Sequence, residues 1–252
     1  MNDLVGKHAL ITGGGTGIGL ATARALAARG AKLTLAARNF ARVEAAAATL
    51  GANPVAIDVT SEGSVNAGAE AARAANGPID ILVNNAGVAP SAPFHATDLA
   101  LWSQVLNTNL TGAFLCTRAA LPDMVAAGWG RIVNVASVCS LKGYAYVSAY
   151  CASKHGLLGL TRALAHETAK RGVTVNAVCP GYVATDIVSN AQRNISEKTK
   201  LSGDEALASI VRFNPQGRLI EAEEVASAIA WLCGDGAAAT NGAALPMTGG
   251  EI

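Results

Sequence analysis

Short apolar runs alternate along this chain with longer stretches whose apolar residues recur every three or four positions. His8-Ala-Leu-Ile-Thr12 is a run of the first kind and ends in glycines, which predicts a buried strand. Residues 17–29 predict a helix stopped by Gly30, and Lys32 to Ala37 a second strand. A helix over 40–50, a strand Pro54 to Ile57 ending at Asp58, a helix over 62–75 and a strand Asp80 to Asn84 follow. Residues 98–126 predict a mostly helical span with Pro122 as a kink. A strand Ile132 to Ala136, a helix over 149–170 and a strand Val173 to Val178 come next. The polar stretch 186–215 breaks the rhythm and predicts a lid over a site. A helix over 221–233 and a strand over 243–247 complete the pattern. Strands that read as continuous apolar runs are buried on both faces, and their alternation with helices implies a parallel sheet. The expected class is therefore α/β: a doubly wound, seven-stranded parallel sheet with helices on both faces. Ligands of such sheets lie at the carboxyl ends of the strands, near a switch in strand order. A glycine turn, Asp58, Asn84-Asn85, Ser137 and Pro180-Gly181 all fall at predicted ends of that kind.

Composition narrows the class. No Pro/Ser-rich linker or charge block divides the 252 residues, so one domain over 1–252 is expected. Apolar residues make up 51% and charged ones 15%, which suits a large core. A net charge of +1 with dispersed Lys and Arg argues against nucleic-acid or membrane-surface binding. No apolar run reaches the ~18 residues a membrane span needs. The five cysteines (116, 139, 151, 179, 233) include no Cys-x-x-Cys, which implies reduced thiols and a cytoplasmic protein. Met1 to Lys7 carries one acid and one base and does not predict a signal peptide. No His/Cys/Asp cluster suggests a metal.

Two stretches carry candidate chemistry. Tyr150 and Lys154 are four residues apart, so a helix presents both side chains on one face. A free phenol titrates near ~10. A neighbouring ammonium favours the phenolate and would bring the pair toward general acid–base work. Ser137 ends a predicted strand thirteen residues earlier, and its hydroxyl could reach the same point. The second stretch, Thr12-Gly-Gly-Gly-Thr-Gly17-Ile-Gly19, joins the first strand to the first helix. Its glycines permit a tight turn and close approach of a pyrophosphate to a helix N-terminus. The spacing Gly-x-x-x-Gly-x-Gly is not the strict G-x-G-x-x-G, and the Lys-Ser/Thr of a P-loop is absent.

These pieces give the chain a resemblance. Thr12-Gly-Gly-Gly-Thr-Gly-Ile-Gly19, Asn84-Asn-Ala-Gly87, Asn109 in Asn-Thr-Asn-Leu, Ser137, Tyr150-Cys-Ala-Ser-Lys154 and Pro180-Gly181 with Thr185 stand in the order and spacing of the short-chain dehydrogenase/reductase family. The chain is most similar to ketoreductases of 3-oxoacyl thioesters (acyl-carrier-protein or CoA) and of polyketides, and to 3-hydroxybutyrate dehydrogenases. The resemblance implies a Rossmann fold, a homotetramer and a small-molecule ketone/alcohol substrate, with 3-oxoacyl thioesters first and aryl or aliphatic ketones second. It implies Tyr150 as general acid or base, Lys154 lowering its pKa and holding the nicotinamide ribose, Ser137 on the substrate oxygen and Asn109 on a relay water. Cofactor contacts are implied at Gly13, Gly15, Thr16, Gly17, Ile18, Gly19, Arg38, Asp58, Val59, Asn85, Ala86, Gly87, Pro180, Gly181, Val183 and Thr185. Tyr144, Tyr182 and Ile187 are candidate substrate-lining residues. The second strand ends at Ala37-Arg38 without the acid that would bind the 2′-hydroxyl of NAD, which points to NADP. Thr16 replaces the basic residue many NADP-preferring relatives carry in the glycine turn, which leaves NAD open. A nucleotide-binding sensor without catalysis is the rival from another class, because fold alone does not fix activity.

Overall fold

The computed structural model describes residues 3–252. Among these residues seven strands form one sheet: β1 (His8–Thr12), β2 (Lys32–Ala37), β3 (Asn53–Ala56), β4 (Ile81–Asn84), β5 (Gly130–Val135), β6 (Val173–Pro180) and β7 (Ala244–Met247). Their order is β3-β2-β1-β4-β5-β6-β7, and every pairing is parallel. This is the doubly wound sheet that the apolar runs predict. The helices are α1 (Gly17–Ala27), α2 (Phe40–Ala48), α3 (Glu62–Asn76), α4 (Leu99–Leu106), α5 (Gly112–Ala127), α6 (Ser148–Thr168), α7 (Asp186–Thr199), α8 (Gly203–Val211) and α9 (Ala222–Cys233). Among the described residues none is long and apolar enough to cross a membrane.

The chain builds outward from β1 to β3, then returns to place β4 on the other side of β1. The carboxyl ends of β1 and β4 therefore diverge and leave a crevice between them. Adjacent residues of one strand feed opposite layers, as the period of two requires. Ile11 joins the layer that holds Leu26, Val43, Val225 and Ile229, whereas Leu10 joins Ile57, Val65, Ile79 and Met124. Each such side chain, removed from water, contributes about 1.5–3 kcal/mol.

A chain of amides and hydroxyls crosses this apolar interior. Asn84 Nδ2 donates to Thr117 Oγ1 (3.0 Å) and to Asn134 Oδ1 (2.9 Å), and Asn134 Nδ2 donates to Thr161 Oγ1 (2.8 Å). β4 and β5 are thereby cross-linked to α5 and α6. In a low-dielectric interior each bond fixes geometry strongly, because an unpaired amide there is costly.

The span expected as one kinked helix differs. Pro122 lies inside α5 without ending it. The break comes earlier, at Asn107–Thr111, which forms a π-helical turn in which the Gly112 N–H bonds the Asn107 carbonyl. One extra residue is looped into the helix there, and no residue type announces it in the sequence. The polar stretch 186–215 is largely helical, forming α7 and α8.

His8, 1% exposed, bonds the Gly77 carbonyl (2.8 Å) and Thr34 Oγ1 (2.9 Å) through its two ring nitrogens. Burial lowers its pKa, against weaker opposing hydrogen bonds. The native state therefore holds His8 neutral. Stability is full above the unfolded value near ~6.5 and is lost as pH falls through it toward the lower native value. Urea midpoints should drop between about pH 7.5 and pH 5.5, and His8→Gln should flatten that slope; an equal slope in the variant would assign the effect elsewhere.

Candidate active site

The glycine turn closes the carboxyl end of β1. Gly13 has φ +64°, and a Cβ there would lie 2.8 Å from Asn85 Nδ2. A Cβ on Gly19, in the first turn of α1, would run into the Gly13 carbonyl oxygen. Gly17 has φ +50° and faces the Thr185 methyl, 3.0 Å from where its Cβ would stand. Only glycine suits these three places. Thr16 is the N-cap of α1, but its side chain accepts no capping bond, and the first turn holds no acid. The free N–H groups of that turn thus remain for an anion. Gly15 and Thr16 line, with Gly13, Ala37, Arg38 and Arg42, a groove of about 610 Å³. Ile18 packs into the core beneath it. This cradle, with no carboxylate among those lining residues, fits the phosphates and ribose of a dinucleotide.

Asn85 sits across the turn, where its side chain serves structure. Its Nδ2 donates to the Thr12 (3.0 Å) and Gly13 (3.1 Å) carbonyls, and Thr12 Oγ1 accepts from the Asn85 and Ala86 N–H groups. The turn is pinned to the end of β4. Asp58 is similarly engaged: its carboxylate accepts from Thr60 N (3.0 Å) and Thr60 Oγ1 (2.7 Å), which lowers its pKa. Val59 is buried against Gly112, so it joins the sheet edge to α5.

Ser137 follows β5 and takes its Oγ back to the Cys139 N–H (3.1 Å). Tyr150 and Lys154 stand on α6, with the Lys154 Nζ 5.6 Å from the Tyr150 ring centroid. Lys154 is 4% exposed and donates to the Val135 carbonyl (2.7 Å), at the end of the strand that leads to Ser137. Burial pushes its pKa down to about 8. Burial also raises Tyr150 well above its ordinary value, the buried Cys139 adds to this, and the Ser137 hydrogen bond pulls the other way. The expected lowering of Tyr150 by Lys154 is therefore outweighed: removing the phenol from water costs the phenolate more than its neighbours return. Tyr150 holds its proton at neutral pH.

Asn109 sits in the π-turn with its side chain engaged three times. Oδ1 accepts from Val88 N (2.8 Å), and Nδ2 donates to Val88 O (2.9 Å) and Ser153 Oγ (3.1 Å). Ser153 Oγ in turn donates to the Tyr150 carbonyl (2.8 Å). Asn109 clamps the segment after β4 onto α6 between Tyr150 and Lys154. Gly87 lies against both Asn109 and Lys154, since a Cβ there would be 3.3 Å from Asn109 Oδ1 and 3.8 Å from Lys154 Nζ.

At the end of β6, Gly181 N bonds Met247 O (3.0 Å), Val183 bridges to Ile220, and Thr185, at the N-cap position of α7, donates its hydroxyl to the Val183 carbonyl (3.2 Å). Tyr182 stacks on Phe213 (5.9 Å between centroids), and Tyr144 meets the same ring edge-on at 5.8 Å. Ile187 is 48% exposed on α7. Sequence reading missed Arg42, Phe213 and Glu251. Glu251 accepts from the Tyr144 hydroxyl and pairs with Lys142 (2.9 Å). No motif relates these residues, because more than a hundred positions separate Tyr144 from Glu251. Among the described residues no group of His, Cys, Asp and Glu could hold a metal, and four of the five thiols are buried.

Residues 7–196 match the model of the short chain dehydrogenase family. The chain is 42% identical over 249 residues to a cis-4-hydroxycyclohexanecarboxylate dehydrogenase of Sinomonas cyclohexanicum, covering 97% of this chain and 96% of that protein. It is 41% identical to an acetoacetyl-CoA reductase of Rhizobium meliloti, covering 97% and 98%. A crystal structure of a variant of the actinorhodin polyketide ketoreductase with NADPH superposes with a TM-score of 0.94 at 38% identity, over 100% of this chain and 98% of that one.

Gly19→Ala should lower Tm by roughly 2–10 °C, the range expected for overpacking of about 1–3 kcal/mol in a chain of this size. It should also weaken dinucleotide binding measured by fluorescence titration. Unchanged values for both would mean that the turn relaxes around the added methyl.

Proposed function

The chain belongs to the short-chain dehydrogenase family and is an oxidoreductase acting on CH–OH groups, and we propose that it interconverts a 3-oxoacyl and a 3-hydroxyacyl thioester with NADP(H). The observation that carries this reading is the convergence of Ser137, Tyr150 and Lys154 at the carboxyl end of β5, beside the dinucleotide cradle. Bound in that cradle, a nicotinamide cofactor supplies or takes up the hydride. The chain's own residues bind, orient and protonate. Ser137 and Tyr150 direct two hydroxyl donors at the carbonyl oxygen, where negative charge develops in reduction. Tyr150, kept protonated by burial, delivers the proton. Lys154 holds the ribose and carries the positive charge beside the phenol, and Asn109 sets the spacing between them. A relay water would depend on groups other than the three bonds the Asn109 side chain already makes. The acetoacetyl-CoA reductase relative supports the thioester class.

A second reading, a cyclic or aryl ketone, is favoured by one observation: the Tyr144, Tyr182 and Phe213 rings form an apolar wall suited to a flat ring. The cyclohexane-ring relative agrees with it. NADP is supported by Arg38; Arg42 faces the same groove on the first turn of α2 while paired with Asp186 at 2.6 Å. A cytoplasmic homotetramer joined through α4–α5 and α6 is part of the same proposal. Leu99 and Phe114, 77% and 43% exposed on α4 and α5, support it.

Tyr150→Phe should reduce kcat by at least ~10²-fold, the scale of a lost general acid, with dinucleotide affinity kept; near-normal turnover would remove Tyr150 from the chemistry. The reduction rate of the wild type should fall as pH rises through about 8, where Lys154 loses its charge, and Lys154→Met should abolish that limb. For the cofactor, wild type should show higher kcat/KM with NADPH than with NADH. Ala37→Asp with Arg38→Ala should erase that preference chiefly through KM, since the 2′ group is remote from the hydride. A wild type that prefers NADH overturns the NADP assignment.

A further inference from the structure

The four residues that follow β7 touch all three segments that carry the aromatic wall. β7 ends at Met247, whose carbonyl accepts from the Gly181 N–H (3.0 Å), and Tyr182 is the next residue. Thr248 is buried, and a Cβ on Gly181 would stand 3.7 Å from its Cα and from Glu251 Oε2. Gly249 and Gly250 have φ of +65° and +99°, so the chain turns sharply there. A side chain on Gly249 would collide with the amide oxygen of Asn214, which follows Phe213, and a Cβ on Gly250 would lie 3.8 Å from Pro215. Asn214 is itself buried and held, since its Nδ2 donates to the Arg218 carbonyl (2.8 Å) and its Oδ1 accepts from Gln216 N (2.9 Å). The turn delivers Glu251 to the third segment. There its carboxylate pairs with Lys142 Nζ (2.9 Å) and accepts from the Tyr144 hydroxyl.

Lys142 and Tyr144 lie on the stretch that runs from Ser137 to Tyr150, and residues 141–147 of it form no helix or strand. Ordering such a loop costs conformational entropy at each residue. Its one aromatic contact, Tyr144 edge-on to Phe213, is of a kind that contributes only modestly. The Glu251 side chain is 6% exposed. A carboxylate withdrawn from water is stable only when paired and hydrogen-bonded, so loop and tail hold together in the one arrangement that satisfies it. In that arrangement the Tyr144 ring meets Phe213, and Tyr182 stacks on the same ring. We infer that Glu251 is a positioning residue: it holds Tyr144 against Phe213 and so sets the wall on which a ring of the substrate lies. This rests on the ketone-reductase reading of the site.

The experiment compares ethyl 3-oxobutanoate with ethyl 3-oxo-3-phenylpropanoate, with NADPH and NADH. The two ketones differ only by a methyl against a phenyl group beside the reacting carbonyl. Glu251→Ala should raise KM for the phenyl ketone by at least ~10-fold, the scale of a lost hydrogen bond to a charged group, and for the methyl ketone by no more than ~3-fold. The kcat for the phenyl ketone and the dinucleotide affinity should stay within ~2-fold, because the wall binds ground state and transition state alike. Tyr144→Phe should raise the same KM, and adding it to Glu251→Ala should have little further effect, since one residue acts through the other. A merely structural role would move KM, kcat and dinucleotide affinity together and for both ketones. If Glu251→Ala does not fold, the Tyr144→Phe arm decides alone. A phenyl-ketone KM that either variant leaves unchanged, a rise shared equally by both ketones, or two effects that add in full overturns the inference while leaving the reductase reading intact. No turnover of either ketone by the wild type with either cofactor overturns both.

Discussion

An ammonium group held out of water governs how β5 and α6 meet in this molecule. Lys154 is almost inaccessible, and its charge survives because one strand-end carbonyl, that of Val135, is placed to receive it. Such a charge tolerates little error in position, since it strengthens and suffers in the same low dielectric. That demand reaches several elements. β5 must end where it does, and α6 must lie in one rotational setting so that Lys154 points at β5 while Tyr150 faces the crevice. Thr161, further along α6, accepts from Asn134 inside the sheet, and Ser153 is gripped by Asn109 from the π-turn. The helix is thus registered against the sheet at Lys154 and Thr161 and against the π-turn at Ser153.

Much of this is legible in the sequence, for identifiable reasons. Apolar runs mark buried strands because a strand covered on both faces has no polar side, and each of the seven runs lies within a few residues of its strand. The Tyr150–Lys154 pairing and the glycine turn are legible because each is local: the spacing alone fixes the geometry. Roles are less legible. The side chains of Asn85 and Asp58 engage neighbouring groups of the chain, which a motif does not announce, because an amide or carboxylate beside a sharp turn finds main-chain partners first. The shift of Tyr150 runs against the expectation because proximity of charge is visible in a spacing and burial is not.

What stays hidden is hidden by distance along the chain. Glu251 meets Tyr144, Phe213 meets Tyr182, and Arg42 reaches Asp186 at 2.6 Å only after the sheet has assembled. The glycine turn is made from a short contiguous piece, whereas the aromatic wall of Tyr144, Tyr182 and Phe213 is made from single residues of separate segments.

The surplus residue of the π-turn has a consequence for how the gene can change. Removing one codon between Asn107 and Thr111 would give a smoother helix locally, since a regular turn would replace the irregular one. It would also rotate α5 by about 100° relative to α4, one residue's worth of helical winding. Leu115, Cys116, Ala120 and Met124 would leave the apolar layer they now fill against the sheet. The intermediate ancestors on such a route would fold poorly whichever helix kept its seat. Lineages descending from this chain can therefore trade letters in that stretch far more easily than they can alter its length.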